Sequence, residues 1–433
     1  MQKQAQVKIY KSDQLAPDWF KREKVDENAA EEVENNVKAI VKQVKENGDK
    51  ALVEFALKFD KAELTLRTLK VHREEINEAY KKTSPVQVSA LKFMIDRVNT
   101  FQKQLLTQTE VKTLSDGTRV QTVLRPIESV GCYVPGGQAA YPSTLIMTVV
   151  PAKVADVSRI VVCSPSDARG KVNPLVLVAA DMCGVDEIYK VGGAQAIAAL
   201  AYGTRTIKQV RKIVGPGGKY VTAAKVQVSA DVAIDMPAGP SEVLVLADES
   251  ADGRLIAFDM VSQAEHGGDS VAGLITTSES LALKVQGYLA SVAGSAERSE
   301  KISESLAKYG FIIVCKSMKE AMNLVNQFAP EHLEVMTTKP KKIAEKLTAG
   351  LILVGPCSPV ALSDYAIGTN HVLPTGGFAQ SFSGLSTLDF MRRVSIVESS
   401  RTALEKVKDR VKVMTEAENL PNHYKAIEAR FEK

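Results

Sequence analysis

An acid and an imidazole stand side by side at Glu331–His332, inside the largely apolar stretch QFAPEHLEV (residues 327–335). Histidine is the side chain whose ordinary pKa lies near neutrality, so such a pair could move protons. As neighbours at the start of a strand, however, the two would point to opposite faces, and alone they decide nothing. A second Glu-His dipeptide, Glu265–His266, sits in MVSQAEHGGDS (residues 260–270). There Gln263 and His266 are three apart at the end of a helical window and face the same way, so two ligand-capable side chains converge. His266 could equally complement the negative helix terminus ahead of the capping pair Gly267–Gly268. LSDYAIGTNHVLPTGG (residues 362–377) adds Asp364 and His371 in a segment too rich in Gly, Pro, Thr and Asn to read as helix or regular strand. Polar loop residues often carry function, but an aspartate there is also an ordinary turn former. Two imidazoles, a carboxylate and a carboxamide would suit zinc, yet no HExxH or cysteine pair announces a metal.

Glycine supplies the third kind of candidate. GCYVPGG (131–137), VGGAQ (191–195) and VGPGGK (214–219) each follow a strand-like run and lead into a helix or loop. That places backbone amides where a phosphate could bind. None is GxGxxG, and GxxxxGK[ST] is absent, so a tight strand-to-helix turn explains them as well as a nucleotide does.

The elements that must position these residues are legible from periodicity. Residues 29–110 are rich in helix formers, with Val33, Val37, Ile40 and Val44 recurring at three- and four-residue steps, as a helical packing layer requires. From about residue 119 short β-rich runs alternate with helical windows, the rhythm of an α/β fold. One block passes through RIVVCSP, EIYKVGG and RKIVGPGG; a second begins at SEVLVLAD and continues through VAGLITT, FIIVCKS and GLILVG. Two doubly wound units follow. Ser317 and Glu320 have capping-box spacing ahead of AMNLVNQF, whose Ala321, Leu324, Val325 and Phe328 share a face. Pro330 stops that helix, so Glu331 and His332 fall where a helix hands over to a strand. The tail from about 400 reads as two helical windows broken at NLPN, the first striped by Leu404, Val407, Val411 and Met414.

Composition narrows the classes. The chain has 433 residues, 45% hydrophobic and 24% charged, enough for two or more packed domains. Its 55 Lys and Arg against 51 Asp and Glu, without a basic block, leave no nucleic-acid footprint. Neither a signal-peptide core nor a bilayer-length apolar run occurs, so a cytoplasmic protein with no membrane partner is expected. Five scattered cysteines, Cys132, Cys163, Cys183, Cys315 and Cys357, read as buried reduced thiols.

Together the segments RPIESVGCYVPGGQAAYPSTLIMTVVPAKVA, KVGGAQAIAALAYGT, IDMPAGPSEVLVLAD, SQAEHGGDS, APEHLEV and DYAIGTNHVLPTGG with SGLSTLDFMRR resemble the histidinol dehydrogenase family, in its order, over roughly residues 30–430. The resemblance implies two successive NAD-linked oxidations, L-histidinol to L-histidinal to L-histidine, at a zinc site. It implies Gln263, His266, Asp364 and His423 as zinc ligands, with His423, in the tail segment NLPNHYKAI, reaching the other subunit's site. It implies Glu331 and His332 as the acid-base pair: His332 takes the alcohol proton as hydride leaves for nicotinamide, and Glu331 activates the water that adds to the aldehyde. Ser241, His371 and Glu418 would join these six in binding substrate, and Tyr133, Gln195 and Gly218 would lie at NAD. Family members usually carry asparagine where this chain has Gly218, which implies a lost hydrogen bond to NAD.

The fold so implied is α/β: two incomplete doubly wound, Rossmann-like domains plus small, mainly helical N- and C-terminal extensions, in a domain-swapped homodimer. The expected boundaries are an N-terminal extension at 1–28, a domain carrying metal and catalytic residues at 29–132 and 243–385, an NAD-side domain at 133–242, and a helical tail at 386–433. Two other readings stand beside this one: a paralogue oxidising another small alcohol, such as a sulfonated diol, and a catalytically silent metal- or nucleotide-binding protein. Ser241, His371 and Glu418 together favour a substrate with an ammonium and an imidazole, because a carboxylate at 418 repels an anion.

Overall fold

The computed structural model describes residues 7–16, 19–20, 27–106, 112–115, 118–136 and 140–432. Two parallel sheets form its frame. The first has five strands in the order β6-β5-β4-β7-β8, namely Glu187–Tyr189, Arg159–Cys163, Ser129–Tyr133, Lys212–Val214 and Ala233–Ile234. The second has six in the order β1-β11-β10-β9-β12-β13, namely Lys8–Lys11, Phe311–Val314, Val271–Thr276, Glu242–Ala247, His332–Met336 and Leu351–Val354. Helices cover both faces of each, which is why β4, β9 and β12 are buried at every position, even where Glu242, His332 and Glu334 interrupt the apolar residues. In each sheet the strand order reverses once, between β4 and β7 in the first and between β9 and β12 in the second.

Three details differ from the sequence reading. The helical section does not join the larger sheet: Val33, Val37, Leu52 and Leu69 pack with Val161, Ile197 and Val221 on one face of the five-stranded sheet. Leu91, Met94 and Val98 pack with Leu145 and Ile160 on the other. Within the expected N-terminal extension, β1 pairs in parallel with β11 and completes the larger sheet's edge, so that segment is not purely helical. Of the five cysteines, Cys357 is exposed and the other four are buried.

A third, antiparallel sheet joins β14 (Met391–Glu398), β3 (Thr118–Pro126) and β2 (Lys112–Ser115) in an arm. Beyond it lie helices Arg401–Ala417 and Pro421–Glu428, broken where NLPN predicts. These tail helices have each other as their one extensive neighbour among the described elements. Ile396, Val397, Val413, Met414 and Leu420 of the arm and tail are exposed. Among the described residues no helix is long and apolar enough to cross a membrane.

Candidate active site

The turn that delivers Glu331 and His332 is built as the sequence suggests. Helix Met318–Phe328 starts at Ser317, whose hydroxyl accepts from Glu320 N–H at 3.2 Å, while the Glu320 carboxylate accepts from Lys316 N–H at 2.9 Å. It ends with Ala329 in the left-handed region (φ 46°), ahead of Pro330, and β12 begins at His332. Because Glu331 precedes the strand, the opposite-face expectation fails: its carboxylate turns back to within 3.6 Å of His332 Nδ1.

Glu242, the first residue of β9, holds this turn. Glu331 Oε2 accepts from Glu242 N–H at 2.8 Å, and Glu242 Oε2 accepts from Glu331 N–H at 3.3 Å. Glu242 Oε1 accepts from Gly376 N–H at 3.0 Å and so ties down the loop after His371. No motif points to Glu242. The available signal is a charge heading the otherwise apolar EVLVLA, where a buried strand must find partners for it.

His332 is almost wholly buried, and its register on β12 sets it opposite Val243 of β9. Its Nδ1 lies 3.3 Å from the Glu242 carbonyl oxygen. That carbonyl can only accept, so Nδ1 carries a proton, and in the neutral ring it is Nε2 that keeps the lone pair. Nε2 is buried without a hydrogen-bond partner and faces Asp364 Oδ1, 3.9 Å away and equally unpartnered. Burial works against the imidazolium of His332, but the charge and hydrogen bond of Glu331 and the charge of Asp364 outweigh it and raise the pKa. His371 sits on the other side of Asp364, its Nδ1 3.8 Å from Oδ1. Burial dominates there and lowers the pKa, Asp364 offsetting part of the effect.

Asp364 is not in a loop, as its neighbours suggest, but in the last turn of the short helix Val360–Tyr365. Gln263 lies buried near the end of helix Gly253–Ala264. His266 falls beyond that helix, exposed in the following turn, and Gly267 and Gly268 do not take the left-handed cap conformation. The shared-face argument for Gln263 and His266 therefore does not hold as drawn. The Glu265 turn still comes close to the aspartate's helix, since the charges of Asp364 and Glu265 both act on Tyr365. Ser241 immediately precedes β9, its carbonyl accepting from Val271 N–H at 2.9 Å.

Glu331, His332 and Ser241 thus occupy the amino edge of the larger sheet, whereas ligands of open α/β sheets usually bind at carboxyl ends. The carboxyl edge of the smaller sheet supplies the opposing wall. Thr144, in the first turn of helix Pro142–Val154 after β4, places its hydroxyl 3.4 Å from His371 Nε2, and Asn370 Nδ2 donates to Met147 O at 2.7 Å.

The three glycine segments gather at that carboxyl edge, around the reversal between β4 and β7. Tyr133 ends β4, and its hydroxyl accepts from Gly193 N–H at 3.0 Å. Gln195 is buried in the first turn of helix Gly193–Tyr202. Gly218 caps helix Lys219–Val228 without a side-chain bond. Gly137 of the first segment lies outside the described residues. Gly215 has φ 117°, and a Cβ there would sit 2.2 Å from the Tyr133 carbonyl oxygen, so only glycine fits. A buried ion pair that the sequence reading missed, Lys225 with Asp235, clamps this residue. Lys225 Nζ donates to Gly215 O at 3.0 Å and Met236 O at 3.2 Å, and Asp235 Oδ2 accepts from Gly215 N–H at 2.8 Å. Breaking a buried pair strands the remaining charge, so Lys225→Met should lower stability by about 3–5 kcal/mol in urea unfolding. A change below about 1 kcal/mol, typical of exposed pairs, would remove the clamp from the account.

Glu418, in the turn between the tail helices, and His423, on the second of them, are exposed, and these helices make no extensive contact with the described elements carrying the other candidates. Among the described residues no cluster of three or more His, Cys, Asp or Glu of one chain could hold a metal ion. The implied ligand set offers only His266 and Asp364 of those types outside the tail.

Comparison with known proteins adds an independent finding. A family model described as histidinol dehydrogenase matches residues 22–431. The chain is 46% identical over 406 residues to the histidinol dehydrogenase of Clostridium acetobutylicum, covering 94% of this chain and 93% of that one. It is 44% identical over 393 residues to that of Methanothermobacter thermautotrophicus, covering 90% and 92%. The crystal structure of histidinol dehydrogenase from Elizabethkingia anophelis superposes with a TM-score of 0.91 at 34% identity, covering 98% of each chain.

Proposed function

Since the chain belongs to the histidinol dehydrogenase family of NAD-dependent oxidoreductases of histidine biosynthesis, we propose that it oxidises L-histidinol to L-histidinal and then to L-histidine at one zinc-containing site, in the cytoplasm. The observation that carries the site assignment is the buried, unpartnered pair His332 Nε2 and Asp364 Oδ1. A lone pair and a carboxylate oxygen left bare in an interior are costly unless a ligand completes them.

Asp364 Oδ1 and the buried Gln263 carboxamide fit a borderline-soft divalent ion, with His266 of the same chain and a His423 lent by a second copy completing the set. Zinc would supply placement by binding nitrogens of the amino alcohol, and NAD would accept a hydride in each oxidation. The chain's own residues do the proton work. With Nδ1 held as donor by Glu242 O, His332 Nε2 takes the alcohol proton in the first step. Glu331, beside Nδ1, takes a proton from the water that adds to the aldehyde and so prepares the second oxidation. Ser241, His371 and Glu418 orient the substrate, and Tyr133, Gln195 and Gly218 line the dinucleotide site at the reversal of the smaller sheet.

The exposed apolar residues of the arm and the self-contained tail helices support a homodimer in which each tail serves its partner's site. In domain terms, residues 243–385 carry metal and proton transfer, 133–242 the NAD side, and 386–433 the shared tail.

The test is a stoichiometric assay of purified protein with zinc, NAD and L-histidinol, read at the NADH absorbance. Two NADH per histidinol is the expected result. Turnover with other diols alone, or none at all, would overturn it.

Gly218 yields a further expectation. A Cβ added there meets nothing within 4 Å among the described residues, so the position has room for the start of a side chain. Gly218→Asn should lower the KM for NAD by about fivefold, the equivalent of one recovered hydrogen bond of about 1 kcal/mol. An unchanged KM would mean that glycine costs nothing at this position.

A further inference from the structure

Two residues beyond His332 on the same face of β12, Glu334 is 1% exposed in an interior that includes Met260, Val261, Met336 and Val360. A carboxyl group there needs a partner for each oxygen. Its Oε1 accepts from Val360 N–H at 3.0 Å, at the first residue of the helix whose last turn holds Asp364. Its Oε2 is buried and meets no N–H or hydroxyl donor. What it faces is the carboxyl group of Asp259, in helix Gly253–Ala264, one turn before Gln263.

Two ionised carboxylates in such contact repel, whereas a single proton between them makes a hydrogen bond. Burial first, and then the neighbouring Asp259 charge, holds Glu334 well above the ordinary carboxyl range. Asp259 is only partly buried, so the proton belongs on Glu334, which donates through Oε2 while Oε1 accepts from Val360.

We propose that Glu334 is a positioning residue that acts as a neutral carboxylic acid: one hydrogen bond to Asp259 and one from Val360 tie the helices bearing Gln263 and Asp364 to the strand bearing His332. The inference rests on the functional reading for what those three residues do, but not for the protonation of Glu334 itself. His332 is fixed by the strand; the two helices reach the site from separate parts of the chain, and Glu334 is where both are pinned to it.

The test uses the full-length zinc-loaded protein and two substitutions. Glu334→Gln keeps both bonds, since its amide oxygen accepts from Val360 N–H and its amide nitrogen donates to Asp259. Glu334→Met keeps the length and loses both. In infrared spectra at neutral pH, wild-type protein should show a protonated-carboxyl band that Glu334→Gln lacks. Glu334→Gln should stay within about threefold of wild type in zinc retention against a chelator and in KM for L-histidinol. Glu334→Met should lose at least about tenfold in both, with the KM for NAD unchanged, as expected for a change one layer behind the ligands. A wild-type spectrum without that band, a band that persists in Glu334→Gln, or a glutamine variant as impaired as methionine would overturn the proposal. If wild-type protein does not oxidise L-histidinol, the functional reading falls while the infrared comparison still decides the state of Glu334.

Discussion

Asparagine in place of His332 should lower turnover of L-histidinol by about 10²–10⁴-fold, the usual worth of a positioned proton acceptor, and leave the zinc content of the protein unchanged. The split follows from geometry. The asparagine amide can still donate to the Glu242 carbonyl that now holds Nδ1, so the strand keeps its bond. What disappears is the basic Nε2, which makes no hydrogen bond among the described residues and has the Asp364 carboxylate 3.9 Å away. Residual activity would come from binding and placement alone. The measurement is kcat under saturating NAD beside metal content by atomic absorption. Zinc lost in step with activity would mean that His332 is a ligand and that some other group takes the proton.

The second large effect is expected far from that turn. His423→Ala should strip zinc by more than the roughly 10–100-fold that an outer-shell change costs, while the protein remains a dimer. His423 is exposed on helix Pro421–Glu428, and among the described elements nothing beyond the tail engages that helix extensively. The proposed exchange of ends gives it a reason to matter: on that reading the imidazole works in the neighbouring molecule, while the exposed apolar arm residues hold the pair together. Metal analysis paired with sedimentation separates the two roles. A full zinc complement in this variant would place the fourth ligand within one chain. Dissociation into monomers along with zinc loss would make the tail an assembly element first.

The sequence shows the frame of this molecule more readily than its joints. The runs VLVLA, VAGLIT, FIIV and LILV are continuous and apolar enough to announce a sheet covered on both sides. The helix ending before Pro330 and the break at NLPN are likewise written in local chemistry. The mistaken placements concern short elements and long-range packing. Asp364 reads as loop because Gly368, Pro374 and Gly376 surround it, yet a six-residue helix fits ahead of them. The opening helices carry a clear apolar stripe, but a stripe names no partner, and theirs is the smaller sheet. Glu242, Glu334 and Lys225 escape notice for one reason: each is a charged residue whose partner lies elsewhere in the chain, and no local pattern encodes that pairing.

The family likeness names residues, and the structure distinguishes how firmly the fold holds them. Glu331, His332, Asp364 and His371 are held within one molecule by bonds and charges among themselves and to Glu242 and Thr144. Glu418 and His423 have no such support from the other candidates among the described residues. One fold holds the first group together, and on the proposed reading a partner subunit supplies the second.

On the proposed reading the chemistry of the six-stranded sheet is confined to its amino rim. Every strand in it runs the same way, so Glu249 and Lys342, which follow β9 and β12 and line clefts at their far ends, lie beyond strands about 13–17 Å long at the usual rise per residue. A fluorophore or fused reporter anchored at either position would travel with the enzyme without meeting its substrate.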